Sequence, residues 1–252
     1  MPASDLLDGR VAVVTGSTRG IGLAIAQAFA EAGARVMVNG SSSEEAARDV
    51  ASTLPGGPGA HAGCQADVRS SADVTAMAAR VREHFGRCDI LVNNAGFTKF
   101  IPHENLDELS DGIFDRVVLT NLKGPFVGAR TFAPMLREHG DGLIVNISSI
   151  AATSAIGSNV AYCASKAGLV NLTKSLARAL APDIRVNAVS PGLADTELTK
   201  GFGEYRQRQV DLTPMGRLAS TADIAACVLA LATTLTFVTG EEISVDGGRL
   251  LT

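Results

Sequence analysis

Tyr162 and Lys166 stand four residues apart at what reads as the start of a helix, a spacing that stacks a phenol and an ammonium on one helical face. A lysine held near a tyrosine, with a cationic cofactor beside both, favours the phenolate and draws the phenol below its free pKa of about 10. Such a group can exchange a proton with an alcohol or a ketone near neutral pH. Tyr-x-x-x-Lys alone fits equally well a helical tyrosine beside an unrelated exposed lysine; its weight comes from its company. Ser149 lies thirteen residues upstream, after a strand-like run over 142–148, and a glycine-rich turn opens the chain at Thr15-Gly16-Ser17-Thr18-Arg19-Gly20-Ile21-Gly22.

The elements that must position these groups read as alternating strands and helices. The apolar run 11–14 suits a strand buried on both faces and leads into the glycine turn, with a helix over 21–32. Gly16 permits a tight turn, Gly20 lets backbone approach a pyrophosphate at the helix N-terminus, and Gly22 lets helix and strand pack closely. Further strands are expected over 35–39, 61–66, 88–93, 142–148, 184–190 and 241–245, and helices over 70–85, 107–137, 161–180 and 221–232. This alternation, with strands too apolar to face water, implies an α/β fold: a parallel sheet covered by helices, in one domain spanning 1–252. Ligands of such sheets bind beyond the carboxyl ends of the strands, where Gly16, Asn39, Asp67, Asn94, Ser149 and Pro191 fall.

The second strand ends in Asn39-Gly40-Ser41-Ser42-Ser43, with no acid before Glu44. An acid there would bind a ribose 2'-hydroxyl and repel a 2'-phosphate. Ser43, followed by two glutamates, reads as a helix N-cap, which leaves Asn39, Ser41 and Ser42 for a cofactor. Asn121 falls in the middle of a helical segment, where an inward-facing amide needs partners. The connection 193–218 is longer than a compact domain uses without a functional reason, and reads as a substrate lid with Phe202 and Met215 available to cover a ligand.

Composition narrows the function classes. The chain has 252 residues, 46% of them apolar, and 22 Lys and Arg against 26 Asp and Glu. With no block of like charge, nucleic acid and anionic membrane are not expected partners. The start lacks a secretory pattern and the longest mostly apolar stretch, 224–238, is shorter than a membrane span, so a soluble cytoplasmic protein is expected. Four cysteines and four histidines form no Cys-x-x-Cys or His-x-x-x-His group, and His61 and Cys64, three apart in a strand, would face opposite ways; no metal is expected.

Together these residues resemble the short-chain dehydrogenase/reductase family in its single-domain form, with a Rossmann-like doubly wound parallel sheet. The resemblance covers essentially the whole chain and is carried by the glycine turn, Asp67-Val68, Asn93-Asn94-Ala95-Gly96, Asn121, Ser148-Ser149, Tyr162-x-x-x-Lys166, Asn187 and Pro191-Gly192. It implies an NAD(P)-dependent oxidoreductase in which Tyr162 is general acid or base, Lys166 binds the nicotinamide ribose, Ser149 holds the substrate oxygen and Asn121 positions a water. It also implies a cofactor site from Gly16, Ser17, Arg19, Gly20, Ile21, Gly22, Asn39, Ser41 and Ser42, through Asp67 and Val68 at the adenine and Asn94, Ala95 and Gly96 at the adenosine side. Tyr162, Lys166, Pro191, Gly192, Leu193 and Thr196 complete it at the nicotinamide. Arg19, able to reach a 2'-phosphate, points to NADP(H), with NAD(H) possible. A homotetramer with two-fold symmetry is expected, the apolar helices over 107–137 and 161–180 stacking across subunits.

This chain departs from the family pattern with Ala152 where a glycine is common, with Ser41 where many NADP-using members have an arginine, and in lacking an acid within 231–238. The substrate is expected to be a small ketone or secondary alcohol. The alternatives are a 3-oxoacyl group on an acidic carrier protein, or no reaction at all in a dinucleotide-binding regulator. Acids in the stretches 137–141 and 181–183, taken to lie near the mouth, would disfavour an acidic carrier, whereas Lys99 and Arg206 would favour one.

Overall fold

The computed structural model describes residues 6–196, 199 and 203–252. Seven strands form one sheet: β1 (Val11–Val14), β2 (Arg35–Gly40), β3 (Ala62–Gln65), β4 (Ile90–Asn93), β5 (Gly142–Ile147), β6 (Ile184–Pro191) and, after the two-residue strands β7 (Ala194–Asp195) and β8 (Ala219–Ser220), β9 (Glu242–Val245). Their order is β3-β2-β1-β4-β5-β6-β9, with every neighbouring pair parallel. Chain direction across the sheet reverses between β1 and β4, which opens a crevice at the carboxyl ends of those two strands.

The period-two alternation of the strands sorts their side chains into two cores. Ala12, Val14, Val36, Val38, Ile90, Val92, Leu143 and Val145 face α1 (Gly20–Glu31), α2 (Glu44–Thr53) and the helix Thr221–Thr233. Val11, Val13, Met37, Leu91, Ile144 and Val186 face α3 (Ser71–Phe85), α5 (Gly124–Arg137) and, after the one-turn α6 (Ala151–Ser154), α7 (Val160–Leu180). Phe29 and Phe132, both fully buried, anchor the two layers, and each burial contributes roughly 2–3 kcal/mol. The doubly wound α/β architecture is therefore as the sequence predicts.

Differences lie where local chemistry overrides pattern. The predicted helix over 107–137 is α4 (Asp111–Val118), a π-helical turn Leu119–Lys123 and α5, so Asn121 sits in a widened turn. β3 starts after His61, whose Nε2 donates to Pro55 O (2.7 Å) while Nδ1 accepts from Val36 N (3.1 Å). Its side chain thus holds the loop 55–60, and the opposite-face argument for His61 and Cys64 does not apply. The connection 193–218 contains β7 and a helix Gly203–Asp211 and leads into β8, which pairs with β7; Phe202 lies outside the described residues. Met215 is exposed, with its backbone bound to Gly247 O. No helix among the described residues is long and apolar enough to cross a membrane.

Candidate active site

The turn after β1 and the end of β4 are built as one unit. Gly16 and Gly20 have φ of +63° and +59°, a region that only glycine occupies without strain. Asn94 Nδ2 donates to Thr15 O (2.8 Å) and Gly16 O (2.9 Å), and Thr15 Oγ1 accepts from the backbone N–H groups of Asn94 and Ala95. A Cβ on Gly16 would lie 2.9 Å from Ala95 Cα, and one on Gly22 would meet Asn94 Nδ2 and lie 2.5 Å from Gly16 O. Gly22 thus lets α1 start directly under the turn, with Ile21 packed against the core behind it. Gly96 is exposed beyond Ala95.

Two residues expected in the cofactor site, Asn39 and Ser17, commit their side chains to the turn itself. Asn39 is 1% exposed: Oδ1 accepts from Gly16 N (3.2 Å) and Nδ2 donates to the carbonyls of Gly40, Cys64 and Ala66. Ser17 is equally buried, its hydroxyl donating to Val14 O and accepting from Asn39 N. Both side chains are consumed in shaping the turn, because buried polar atoms must pair. Ser41, Ser42 and Arg19 are exposed beside it. Ser43 caps α2 as predicted, accepting from Ala46 N. Glu44, the first acid after β2, is turned away onto Arg48 (2.5 Å) and Arg80 (2.7 Å), and the Arg80 hydrogen bond lowers its pKa. At Asp67, Arg69 forks onto both carboxylate oxygens and lowers its pKa, so a ligand there meets an ion pair. Val68 is buried against Gly124.

The proton-transfer candidates converge at the ends of β5 and α7. Asn159 caps α7 by accepting from Tyr162 N (2.8 Å), which fixes where the helix begins. The Ser149 hydroxyl adjoins the Tyr162 phenol and favours its ionised form, but burial acts more strongly and raises the phenol's pKa. Ser148, the rival serine, is fully occupied, its hydroxyl on Lys166 O and its backbone on Val189 O. Lys166 is 5% exposed, its ammonium on Ile147 O (2.7 Å) and 5.7 Å from the centre of the Tyr162 ring. Burial brings it down to about 8. In the protein alone desolvation dominates both groups, and Lys166 gives one of its three N–H donors to Ile147 O, with two left for a ligand.

Asn121 is fully buried and holds the backbone of Phe97, accepting from its N–H (2.8 Å) and donating to its carbonyl (2.9 Å), with a further bond to Ser165 Oγ (3.2 Å). Both amide hydrogens are used, which leaves the second lone pair of Oδ1 as the place where this side chain could hold a water. Pro191 accepts from Ile150 N at the end of β6, and Gly192 lies against Asp246, where a Cβ would be 3.2 Å from Asp246 Cα. Leu193 is half-buried next to it. Thr196 N donates to Thr199 Oγ1 (3.0 Å), so this N–H is engaged internally.

The roles of several residues that organise the site escaped the sequence reading. Asn93 Nδ2 donates to Asn146 Oδ1 (2.8 Å), and Asn146 Nδ2 to Thr173 Oγ1 (2.9 Å), a buried chain joining β4, β5 and α7. Gly128 makes room for it, since a Cβ there would be 2.7 Å from Asn93 Oδ1. Asn159 could have been found, because an asparagine three residues before a predicted helical N–H is a cap signal. Arg69 and the Arg116 guanidinium, 3.9 Å from the Phe97 ring centre, have no such local signature. Among the described residues no cluster of histidine, cysteine or acidic side chains is placed to hold a metal ion.

A glycine-turn crevice facing a Ser-Tyr-Lys cluster across a doubly wound sheet is the architecture of a nicotinamide-dependent oxidoreductase. A family model described as enoyl-(acyl carrier protein) reductase matches residues 16–249. D-threitol dehydrogenase of Mycolicibacterium smegmatis is 42% identical, covering 96% of this chain and 93% of that protein. The 3-oxoacyl-[acyl-carrier-protein] reductase of Aquifex aeolicus is 38% identical over 96% and 98%. The crystal structure of a short-chain dehydrogenase/reductase from Brucella melitensis, titled a glucose/ribitol dehydrogenase, superposes with a TM-score of 0.91 at 34% identity over 99% of each chain. The chain belongs to the short-chain dehydrogenase/reductase family, whose members are NAD(P)-dependent oxidoreductases of CH–OH and C=O groups. A non-catalytic regulator finds no support among these relatives.

Proposed function

We propose that the protein reduces a small ketone, or oxidises the corresponding secondary alcohol, with Tyr162 as the proton donor and acceptor. The observation that carries this reading is the Ser149 hydroxyl beside the Tyr162 phenol, with Lys166 one helical turn further on. A nicotinamide cofactor supplies the hydride when bound. As negative charge develops on the substrate oxygen, Tyr162 gives it a proton while the Ser149 hydroxyl donates a hydrogen bond to the same atom. Lys166 would hold the nicotinamide ribose, and its positive charge would then stabilise the phenolate left behind.

The residues present fit a dinucleotide. α1 starts at Arg19 with no side-chain cap, whereas Ser43, Ser70, Asn159 and Ser220 cap α2, α3, α7 and the helix Thr221–Thr233. Its first N–H groups are therefore available to a pyrophosphate, and nothing lies within 4 Å of the Cβ position of Gly20. Asn94, Ala95, Gly96, Val68, Pro191, Gly192, Leu193 and Thr196 would complete the site. We assign a preference for NADP(H), with NAD(H) possible, because Glu44 is drawn away by two arginines while Arg19, Ser41 and Ser42 remain exposed where a 2'-phosphate would lie. Comparing kcat/KM for the two cofactors tests it; a tenfold preference for NADH, about 1.4 kcal/mol, contradicts it.

The acids of 137–141 and 181–183 do not disfavour a carrier-bound substrate. The stretches 137–141 and 181–183 lead into the amino ends of β5 and β6, opposite the crevice, and Glu138, Asp141 and Asp183 are paired there with Arg82, Arg10 and Arg137. Support for a small substrate comes instead from the helix Gly203–Asp211, whose Tyr205 ring lies against the Phe100 ring on the loop after β4, 6.1 Å between centres, as a lid over that loop would. Exposed Lys99 favours the carrier reading, whereas Arg206 is engaged with Asp195 (3.1 Å). The named relatives include both kinds. Reduction of acetoacetyl carrier protein at least as efficient as any free ketone would overturn the small-substrate assignment. A homotetramer in the cytoplasm completes the proposal, supported by Phe114 on α4 and Phe126 on α5, which remain 43% and 42% exposed.

A further inference from the structure

The loop 97–101 leaves β4 next to the crevice and is sewn down residue by residue. Asn121 holds both backbone groups of Phe97, and Ile101 N donates to Ser158 O (2.8 Å). Between them, Asn159 Nδ2 donates to Lys99 O (2.7 Å) and Thr98 Oγ1 (3.2 Å), and Thr98 Oγ1 is also hydrogen-bonded to Ser158 Oγ. The other end of the same amide, Oδ1, is the cap on Tyr162 N. Asn159 is 1% exposed, so none of these bonds is exchanged readily for water. One side chain therefore joins the backbone that presents the phenol to the backbone that presents Phe100, which is 59% exposed and lies against the Tyr205 ring.

We propose that Asn159 is a positioning residue that fixes the substrate-facing loop 97–101 relative to Tyr162, resting on the reading of Tyr162 as the proton-transfer group. The two ends of the amide have separable jobs: the acceptor starts α7, and the donor holds the loop. Releasing the donor leaves the loop with several arrangements, of which one forms the substrate wall. The apparent affinity for substrate then falls by the fraction of time the loop spends there, while substrate-saturated turnover does not.

The test uses Asn159→Ser, whose hydroxyl can still cap Tyr162 N but is too short to reach Lys99 O, and Thr98→Val, which removes one acceptor and leaves Asn159 in place. Hydrogen exchange without substrate should quicken at least tenfold in 97–101 for Asn159→Ser, with protection in 165–180 unchanged. KM for the ketone should rise about tenfold, with kcat and the pH profile within twofold of wild type, and Thr98→Val should fall between. Unchanged exchange in 97–101, or a fall in kcat at unchanged KM, overturns the proposal. If Asn159→Ser does not fold, unchanged exchange and KM in Thr98→Val overturn it equally. An active Tyr162→Phe would instead refute the proton-transfer reading and leave the exchange result standing.

Discussion

Replacing Lys166 with methionine should make the cofactor-free protein more stable at neutral pH and inactive. Burial brings the Lys166 ammonium from an ordinary 10.5 to about 8. That difference, at about 1.36 kcal/mol for each pH unit, makes the charged form roughly 3 kcal/mol costlier in the fold than in the unfolded chain. Methionine keeps the length and removes the charge, but leaves Ile147 O without its partner, a loss of about 1 kcal/mol. The variant should therefore gain about 2 kcal/mol at pH 7. Between about pH 8 and 10.5 the unfolded wild-type chain still holds a proton that the folded one has released, so wild-type stability rises with pH over that window. The variant's advantage should shrink by about 2–3 kcal/mol between pH 7 and pH 10 and vanish. Urea unfolding of both proteins at the two pH values measures this, and the subtraction cancels every other titrating group. A gap that is the same at both values would refute the claim that the ammonium is held at a desolvation cost.

Gly22→Ala should lose about 2–3 kcal/mol, since its methyl would lie 2.5 Å from Gly16 O, and should weaken NADPH binding at least tenfold by fluorescence titration. A stable variant with wild-type affinity would show that α1 can move off the turn. Asn39→Ala should cost about 2–3 kcal/mol and weaken NADPH and NADH alike, because its amide holds backbone at Gly16, Cys64 and Ala66. Selective loss of NADPH would make it a cofactor ligand instead. Ser43→Ala should cost about 1 kcal/mol with kcat/KM unchanged, as befits a cap on α2.

The sheet was legible because its strands are short apolar runs separated by helical periods, and strand apolarity alone required cover on both faces. The candidate cluster was legible from the spacing of Ser149, Tyr162 and Lys166, which the end of β5 and the start of α7 bring together. What escaped was the use of each polar atom. Asn39 and Asn94 both stand at strand ends; Asn39 is committed to β3 carbonyls and Asn94 to the turn after β1, and only the third dimension distinguishes them. The π-turn around Asn121 was hidden because its neighbours have ordinary helical patterning, and the turn exists to let that amide reach Phe97. The acids of 137–141 and 181–183 misled because helix ends near β5 and β6 were assigned to the mouth without asking which end of the strands they enter.

Proton transfer by Tyr162 is tested most directly by turnover of Tyr162→Phe, which removes the hydroxyl and little volume. With NADPH and a ketone that the wild type reduces, the variant's kcat should fall by about a thousandfold or more. Its Kd for NADPH should stay within about threefold of wild type, because Lys166 and the glycine turn remain intact. A variant that keeps a tenth of wild-type turnover would contradict the role assigned to the phenol.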